Sequence, residues 1–319
     1  MNGGSSRGLF ADVVGQPLAV QLLEAALARQ RLAPAYLFVG PPGVGQRLVV
    51  RRLLEGLCGG PDTTLRRRIA LDNHPDLLQV EPTYSDRGRL VPASKAREEG
   101  LQPKAPPQLR LEQVRDLAGF LARPPLEAPR SLVLLDGLER LAEAPANALL
   151  KTLEEPGSGL LILLASSRDQ LLSTIVSRCQ CVRFRPLGAD ELVQVLPDPP
   201  LEGEPPALLE LAGGSPGALR EHRRRWAELP PGLLDRLLPP PQQSLDCLAL
   251  ARDVSEALET EQQLWLLDLL QLMLWRRQPS EPVQRRLEQL RRQLLGHGQP
   301  RLAWEVTLLR LAGQGQGSG

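Results

Sequence analysis

Apolar positions along residues 16–186 follow two alternating patterns. Short segments rich in apolar residues predict strands at 35–39, 76–80, 131–135, 160–165 and 181–184. Apolar residues spaced three or four apart predict amphipathic helices at 16–31, 111–121, 145–155 and 169–176, with a further helix after the turn near residue 45. Strands that alternate with helices favour a parallel sheet covered on both faces, with a ligand crevice at the carboxyl ends of the strands.

The remaining stretches divide the chain. Residues 83–108 are rich in charge, proline and glycine and predict a solvated loop or insertion. Beyond the α/β domain at 1–186, helical patterns predict a small lid at 187–227 and, after a proline-rich linker, a helical C-terminal domain at 228–312. The Gly/Gln-rich tail at 313–319 is expected to be disordered.

A glycine-rich turn follows the first predicted strand, as in a P-loop. That pattern requires Gly, four residues, Gly, Lys and then Ser or Thr, and Gly40, Gly43 and Gly45 satisfy its first six positions. These glycines allow backbone N–H groups to approach an anion at a helix N-terminus. Gln46 and Arg47 replace the phosphate-binding lysine and the Mg²⁺-binding hydroxyl. We therefore expect weak phosphate binding at most and no hydrolysis; a turn without any ligand is the alternative.

A single acid ends the strand predicted at 131–135. Asp136 stands where a nucleotide hydrolase holds Mg²⁺, but the next position, where such enzymes place a second acid, is Gly137. Glu139 lies two residues further on and cannot be assumed to substitute. Asp136 alone is also compatible with an ordinary turn or cap residue.

Composition narrows the possible functions. A formal net charge of +1 over 319 residues gives no general attraction for polyanions, and 3% aromatic residues offer few stacking platforms for single-stranded nucleic acid. The cysteines lack C-x-x-C spacing, which favours reduced thiols in a cytoplasmic protein; they are Cys58, Cys179, Cys181 and Cys247. Neither export nor membrane insertion is expected, because no signal segment and no apolar run of ~18 residues is visible.

Several motifs taken together resemble one family. These are VVGQ at 13–16, GPPGVGQR at 40–47, HPDLLQVEP at 74–82, LRLEQVRDL at 109–117, NALLKTLEEP at 147–156 and SRCQ at 177–180. They are similar to the delta-prime subunits of the bacterial DNA polymerase III clamp loader, members of the AAA+ class. The resemblance covers about residues 11–225, and the missing lysine separates this chain from the ATPase subunit of the loader.

The resemblance implies a catalytically degenerate subunit. It implies a hetero-pentamer with ATPase subunits (gamma or tau) and a delta subunit, which acts on a sliding clamp and primed DNA, with 228–312 as the collar. In the family the arginine of SRC, here Arg178, is an arginine finger for ATP held by a neighbouring subunit. Gly217 stands where a sensor arginine is common. The usual four-cysteine zinc module is not expected, because Cys58 stands alone before His74; no cofactor is expected.

Two enzyme alternatives remain at this stage. One is an atypical P-loop nucleotide hydrolase that acts on its own through the residual loop and Asp136. The other is a serine hydrolase, because Gly213 to Gly217 match G-x-S-x-G around Ser215. A nucleophile elbow needs a strand before the serine, whereas residues 207–212 have a helical pattern, so this alternative is weak.

Overall fold

Five parallel strands form the centre of the N-terminal part of the chain. The computed structural model describes residues 8–60, 62–86, 88–96, 99, 101, 105–296 and 298–312. The sheet has the order β2-β5-β6-β1-β7 and every neighbouring pair in it is parallel. Its strands are β1 (Ala35–Val39), β2 (Leu77–Val80), β5 (Leu132–Leu135), β6 (Leu160–Ala165) and β7 (Gln180–Arg183). The predicted parallel α/β fold is confirmed.

Alternating side chains of these strands enter two cores, one on each face. Tyr36 and Phe38 of β1 pack on one face, whereas Leu37 of the same strand packs on the other. Since successive strand residues point to opposite faces, an uninterrupted apolar run is what a doubly covered strand requires. The flanking helices are α1 (Pro17–Ala28), α2 (Gln46–Leu57), α4 (Leu111–Leu121), α5 (Glu143–Glu154) and α6 (Ser173–Val176).

Three local features differ from the sequence prediction. The 83–108 segment is not only a loop, because β3 (Thr83–Asp86) and β4 (Arg89–Pro92) form an antiparallel hairpin. A helix that the pattern missed, α3 (Thr63–Ala70), begins where the Asp62 side chain accepts the Leu65 N–H at 2.7 Å. The helix predicted at 169–176 is only one turn long.

The chain contains two compact units. The first runs to Pro197 and includes Gly214–Pro216, and the second comprises Asp198–Gly213 and the described residues from Gly217 onward. The lid and collar predicted at 187–227 and 228–312 are not resolved by this division and stay a prediction. The predicted disordered tail at 313–319 lies outside the described residues.

In the described residues of the second unit, the regular secondary structure is helical. Gln263 is buried in α12, where its amide donates to Leu258 O at 2.7 Å and accepts the indole N–H of Trp304 at 2.9 Å. Both ends of this buried amide are therefore satisfied. The C-terminal helices, including α7 at the end of the first unit, are α7 (Ala189–Val195), α8 (Ala207–Leu211), α9 (Pro216–Ala227), α10 (Leu233–Leu237), α11 (Ser244–Ala257), α12 (Thr260–Arg277), α13 (Glu281–Leu295) and α14 (Pro300–Ala312). Within the described ranges, no helix is long and apolar enough to cross a bilayer.

Candidate functional site

The glycine-rich loop joins β1 to α2 at the carboxyl edge of the sheet. Its backbone is held by neighbouring groups: the Gly40 N–H donates to Ala165 O at 3.1 Å, and the Ser215 hydroxyl donates to Pro42 O at 2.7 Å. Gly45 ends the loop with φ of 110°, a left-handed conformation that glycine adopts without strain. The loop thus has the predicted strand-to-helix geometry, with Gly43 also at positive φ.

Gln46 is turned inward instead of toward a ligand. Its side chain is buried, and its amide nitrogen lies 3.4 Å from Gly40 O and 3.5 Å from Phe38 O. A lysine at this position would carry its charge to the β- and γ-phosphates. The neutral amide instead faces carbonyl oxygens at the base of the loop.

Arg47 forms an ion pair with the strand-end acid. Its Nη2 lies 2.5 Å and its Nε 3.1 Å from Oδ2 of Asp136, and Nη2 lies 3.6 Å from Oε2 of Glu81. Burial works against the charge of Arg47, but the carboxylates of Asp136 and Glu81 outweigh it and raise the pKa of Arg47 above its ordinary value. A P-loop hydrolase holds Mg²⁺ between the residue at this loop position and this acid. In this chain the guanidinium of Arg47, and not Mg²⁺, supplies the positive charge beside Asp136.

Gly137 explains why no second acid follows Asp136. It has φ of 68°, and a Cβ at this residue would lie 2.6 Å from Cγ of Pro82. Its N–H donates to Oδ1 of Asp136 at 2.7 Å, so both oxygens of Asp136 already accept hydrogen bonds within the chain. Oε1 of Glu139 accepts the hydroxyl of Ser166 at 3.1 Å, whereas its Oε2 is buried without a hydrogen-bond partner among the described residues.

Arg178 lies at the amino ends of the strands, whereas the glycine-rich loop lies at their carboxyl ends. It precedes β7, and the parallel register pairs Tyr36 with Gln180 and Val39 with Arg183. The glycine-rich loop follows Val39, so the paired strand segment alone separates the two features by ~10 Å. Arg178 and the glycine-rich loop of its own chain therefore lie at opposite ends of the paired strands.

Core packing fixes the turn that carries Arg178. Ile175 is 2% exposed, and Val176 and Cys179 pack against the same core. Burial raises the pKa of the Cys179 thiol to about 12. The guanidinium is 37% exposed and bonds to Oε1 of Glu154 at 2.6 Å.

The region where the family carries a zinc module holds a different arrangement. Sγ of Cys58 lies 3.9 Å from Nε2 of His74, and this nitrogen lies 3.9 Å from Oε2 of Glu127. Nδ1 of His74 lies 3.2 Å from the Asp76 N–H and accepts it, so this ring nitrogen is already engaged within the chain. In the part of the chain that the structure describes, no three His, Cys, Asp or Glu side chains are grouped to hold a metal.

Two contacts were missed by sequence reasoning. Glu81 and Glu154 both lie in the motifs named above, but each forms an ion pair with an arginine that is distant in sequence. Only the packing of strands and helices brings these pairs together. The weak G-x-S-x-G alternative around Ser215 is not supported, since helix α8 and not a strand precedes it, and the Ser215 hydroxyl donates to Pro42 O of the glycine-rich loop.

A parallel sheet with a glycine-rich loop after β1 and an aspartate after β5 defines an α/β protein with a P-loop-like strand-to-helix turn. The family described as "DNA polymerase III, delta subunit" matches residues 15–188, more than half of the chain. "Cyanobacterial DNA polymerase III delta prime, C-terminal domain" matches residues 190–311. The chain belongs to this family of DNA polymerase III delta and delta-prime subunits, as its motifs predicted.

Individual relatives agree with this assignment. DNA polymerase III subunit delta' of Pseudomonas aeruginosa is 36% identical over 203 residues, 59% of this chain and 55% of the relative. Subunit tau of Escherichia coli is 32% identical over 217 residues, 66% of this chain and 31% of the relative. The chain thus spans about half the length of the first relative and about a third of the second.

A solved structure shares the fold. The DNA polymerase III gamma subunit-related protein of Thermotoga maritima superposes with a TM-score of 0.55 over 91% of this chain and 98% of its own. The sequence identity of 17% limits this likeness to the fold.

Proposed function

We propose that this chain is the non-hydrolysing delta-prime subunit of a cytoplasmic clamp loader. In this proposal it assembles with gamma or tau ATPase subunits and a delta subunit into a hetero-pentamer. The complex loads a sliding clamp onto primed DNA, and Arg178 acts as an arginine finger at the ATP site of a neighbouring subunit. Neither ATP turnover nor zinc is part of this role.

The observation that carries the proposal is the Arg47–Asp136 ion pair. A guanidinium that already neutralises the strand-end acid supports a loop that does not bind Mg²⁺-nucleotide productively. The buried Gln46 and the steric block at Gly137 remove the other two groups that hydrolysis needs. The position of Arg178 at the far edge of the sheet supports a role toward another subunit.

Reconstitution tests the proposal. The purified chain is mixed with the tau and delta subunits, sliding clamp and primed DNA of its own organism, and clamp loading is measured with and without it. We expect assembly and clamp loading to require the chain. Steady-state phosphate release by the chain alone, abolished by Asp136→Asn, would instead support the independent nucleotide hydrolase.

A further inference from the structure

Arg178 is held from two sides by different helices. Its Nη2 donates to Oε1 of Glu154, the last residue of α5, at 2.6 Å, and its Nη1 donates to the carbonyl of Thr174 in α6 at 3.0 Å. Glu154 is 51% exposed, so no burial forces this contact. The guanidinium is therefore oriented by a defined pair of acceptors.

Glu154 stands at an unfavourable place for a carboxylate. The C-terminal end of a helix carries partial negative charge, which disfavours an acid in the last turn. Among the described residues, Glu154 has no ion pair other than the one with Arg178. The local electrostatic cost is thus offset by one specific contact.

The two acceptors leave part of the guanidinium available. Arginine presents five N–H donors in a planar fork, and Glu154 and Thr174 take one on Nη2 and one on Nη1. The described residues provide no acceptor for the Nε–H of Arg178. The guanidinium can therefore stay clamped while its remaining N–H groups meet phosphate oxygens.

We propose that Glu154 is a positioning residue that fixes the orientation of Arg178 toward the γ-phosphate of a nucleotide bound by the neighbouring subunit. This inference rests on the proposed finger role of Arg178. A pre-oriented donor loses no rotamer freedom when the transition state forms, so the contact contributes to turnover and not to nucleotide affinity. If the contact with Glu154 instead restrained Arg178 away from the nucleotide, it would lower the turnover rate.

The test is a double-mutant cycle in the reconstituted loader. Glu154→Ala should lower turnover at the one affected ATP site by about 3- to 10-fold, so the total DNA-stimulated kcat of the loader should fall partly and clamp loading further, with KM for ATP and assembly unchanged. Glu154→Gln should fall between alanine and wild type, because its amide oxygen still accepts one N–H of Arg178. The variant with both Glu154→Ala and Arg178→Ala should equal Arg178→Ala alone, since a residue that acts through Arg178 adds nothing once it is removed.

Glu155→Ala is the matched control, because this neighbouring acid is exposed and forms no ion pair among the described residues. It should behave as wild type. A Glu154→Ala loader that is as fast as wild type or faster, or losses from Glu154 and Arg178 that add, would overturn the inference while leaving the finger role intact. An unaffected Arg178→Ala loader would instead remove the finger role, and this inference with it.

Discussion

Nη2 of Arg47 lies 2.5 Å from Oδ2 of Asp136, across 89 positions of sequence. The pair joins the start of α2 to the end of β5, the two places from which a P-loop hydrolase holds Mg²⁺. A fixed guanidinium cannot exchange with solvent as a metal ion does. At this residual site, the negative charge of Asp136 is therefore neutralised by Arg47, which is part of the chain, and not by an exchangeable ion.

We predict that Gln46→Lys alone leaves the isolated chain without ATPase activity. Arg47 still neutralises Asp136, and Gly137 provides no acid to orient water. Gln46→Lys combined with Arg47→Thr restores the phosphate-binding lysine and the Mg²⁺ hydroxyl, so this variant should bind Mg²⁺-ATP but still not hydrolyse it. Calorimetric titration and phosphate release measure the two properties. Turnover by the single lysine variant would contradict this reading of the site.

We predict that Gly137→Ala destabilises the fold by about 1–3 kcal/mol, because the new Cβ meets Pro82 in a backbone region that alanine disfavours. Urea unfolding measures this difference. Gly119→Ala is the matched control, since Gly119 lies in helix α4 with open space around it. The control should raise stability by roughly 0.5–1 kcal/mol. Equal effects of the two substitutions would refute the steric explanation.

Asp76 is predicted to stabilise the first unit in a pH-dependent way. Its carboxylate accepts the N–H groups of Leu126, Glu127 and Ala128 at 2.7 Å each. Burial opposes its charge, but these bonds outweigh it and lower the pKa of Asp76 below 3.8. Asp76→Asn should cost about 1.5–3 kcal/mol near neutral pH.

A lowered pKa fixes the pH window of this effect. The contribution of Asp76 is fully present above its unfolded-state value of 3.8 and is lost as pH falls through the folded-state pKa. The gap in unfolding free energy between wild type and Asp76→Asn should therefore be constant from pH 5 to 7 and shrink toward pH 3. A gap in unfolding free energy that widens as the pH falls would show that the pKa of Asp76 is not lowered by folding.

We predict that the purified chain carries no stoichiometric zinc. A closed zinc site needs four N or S ligands, whereas Cys58 and His74 are the nearby candidates among the described residues, and Nδ1 of His74 already accepts the Asp76 N–H. Elemental analysis after dialysis against a chelator decides the question. One retained equivalent that is lost in Cys58→Ser would contradict the prediction.

Sequence reasoning located the central strands β1, β5 and β6 because they are buried on both faces and consist of unbroken apolar runs. It missed the β3–β4 hairpin, whose four-residue strands carry charge and proline and contain one buried residue each. Helix α3 has a single buried side chain, Ile69, so no apolar stripe reveals it. The capping position of Asp62 was the available signal.

The sequence predicted which residues form the candidate site but not which of them contact each other. The motif showed that Arg47 cannot bind a cation, yet nothing local showed that it would bind Asp136. The two strands that carry this site, β1 and β5, are separated by β6 in the sheet. Such a contact depends on how far the Arg47 side chain reaches across the edge of the sheet, which sequence periodicity does not encode.

The last prediction concerns Arg178, on which the proposed function most depends. Arg178→Ala should leave folding and assembly intact, because the side chain is partly exposed and its turn is anchored by Ile175 and Cys179. Fingers of other nucleotide hydrolases contribute ~10³–10⁵ in rate at their own site. Only one site of the loader should be affected, so total ATPase should fall partly and clamp loading further.

Arg178→Lys tests whether the positive charge of Arg178 is sufficient or whether the planar shape of its guanidinium is also required. An ammonium keeps the positive charge but cannot present a planar fork to phosphate oxygens, so Arg178→Lys should resemble Arg178→Ala more than wild type. Arg29→Ala is the matched control, since Arg29 is an exposed arginine at the end of α1. Loading onto primed DNA is followed at saturating ATP, with assembly checked by gel filtration. An Arg178→Ala loader that assembles and works at the wild-type rate would make Arg178 an ordinary surface charge paired with Glu154.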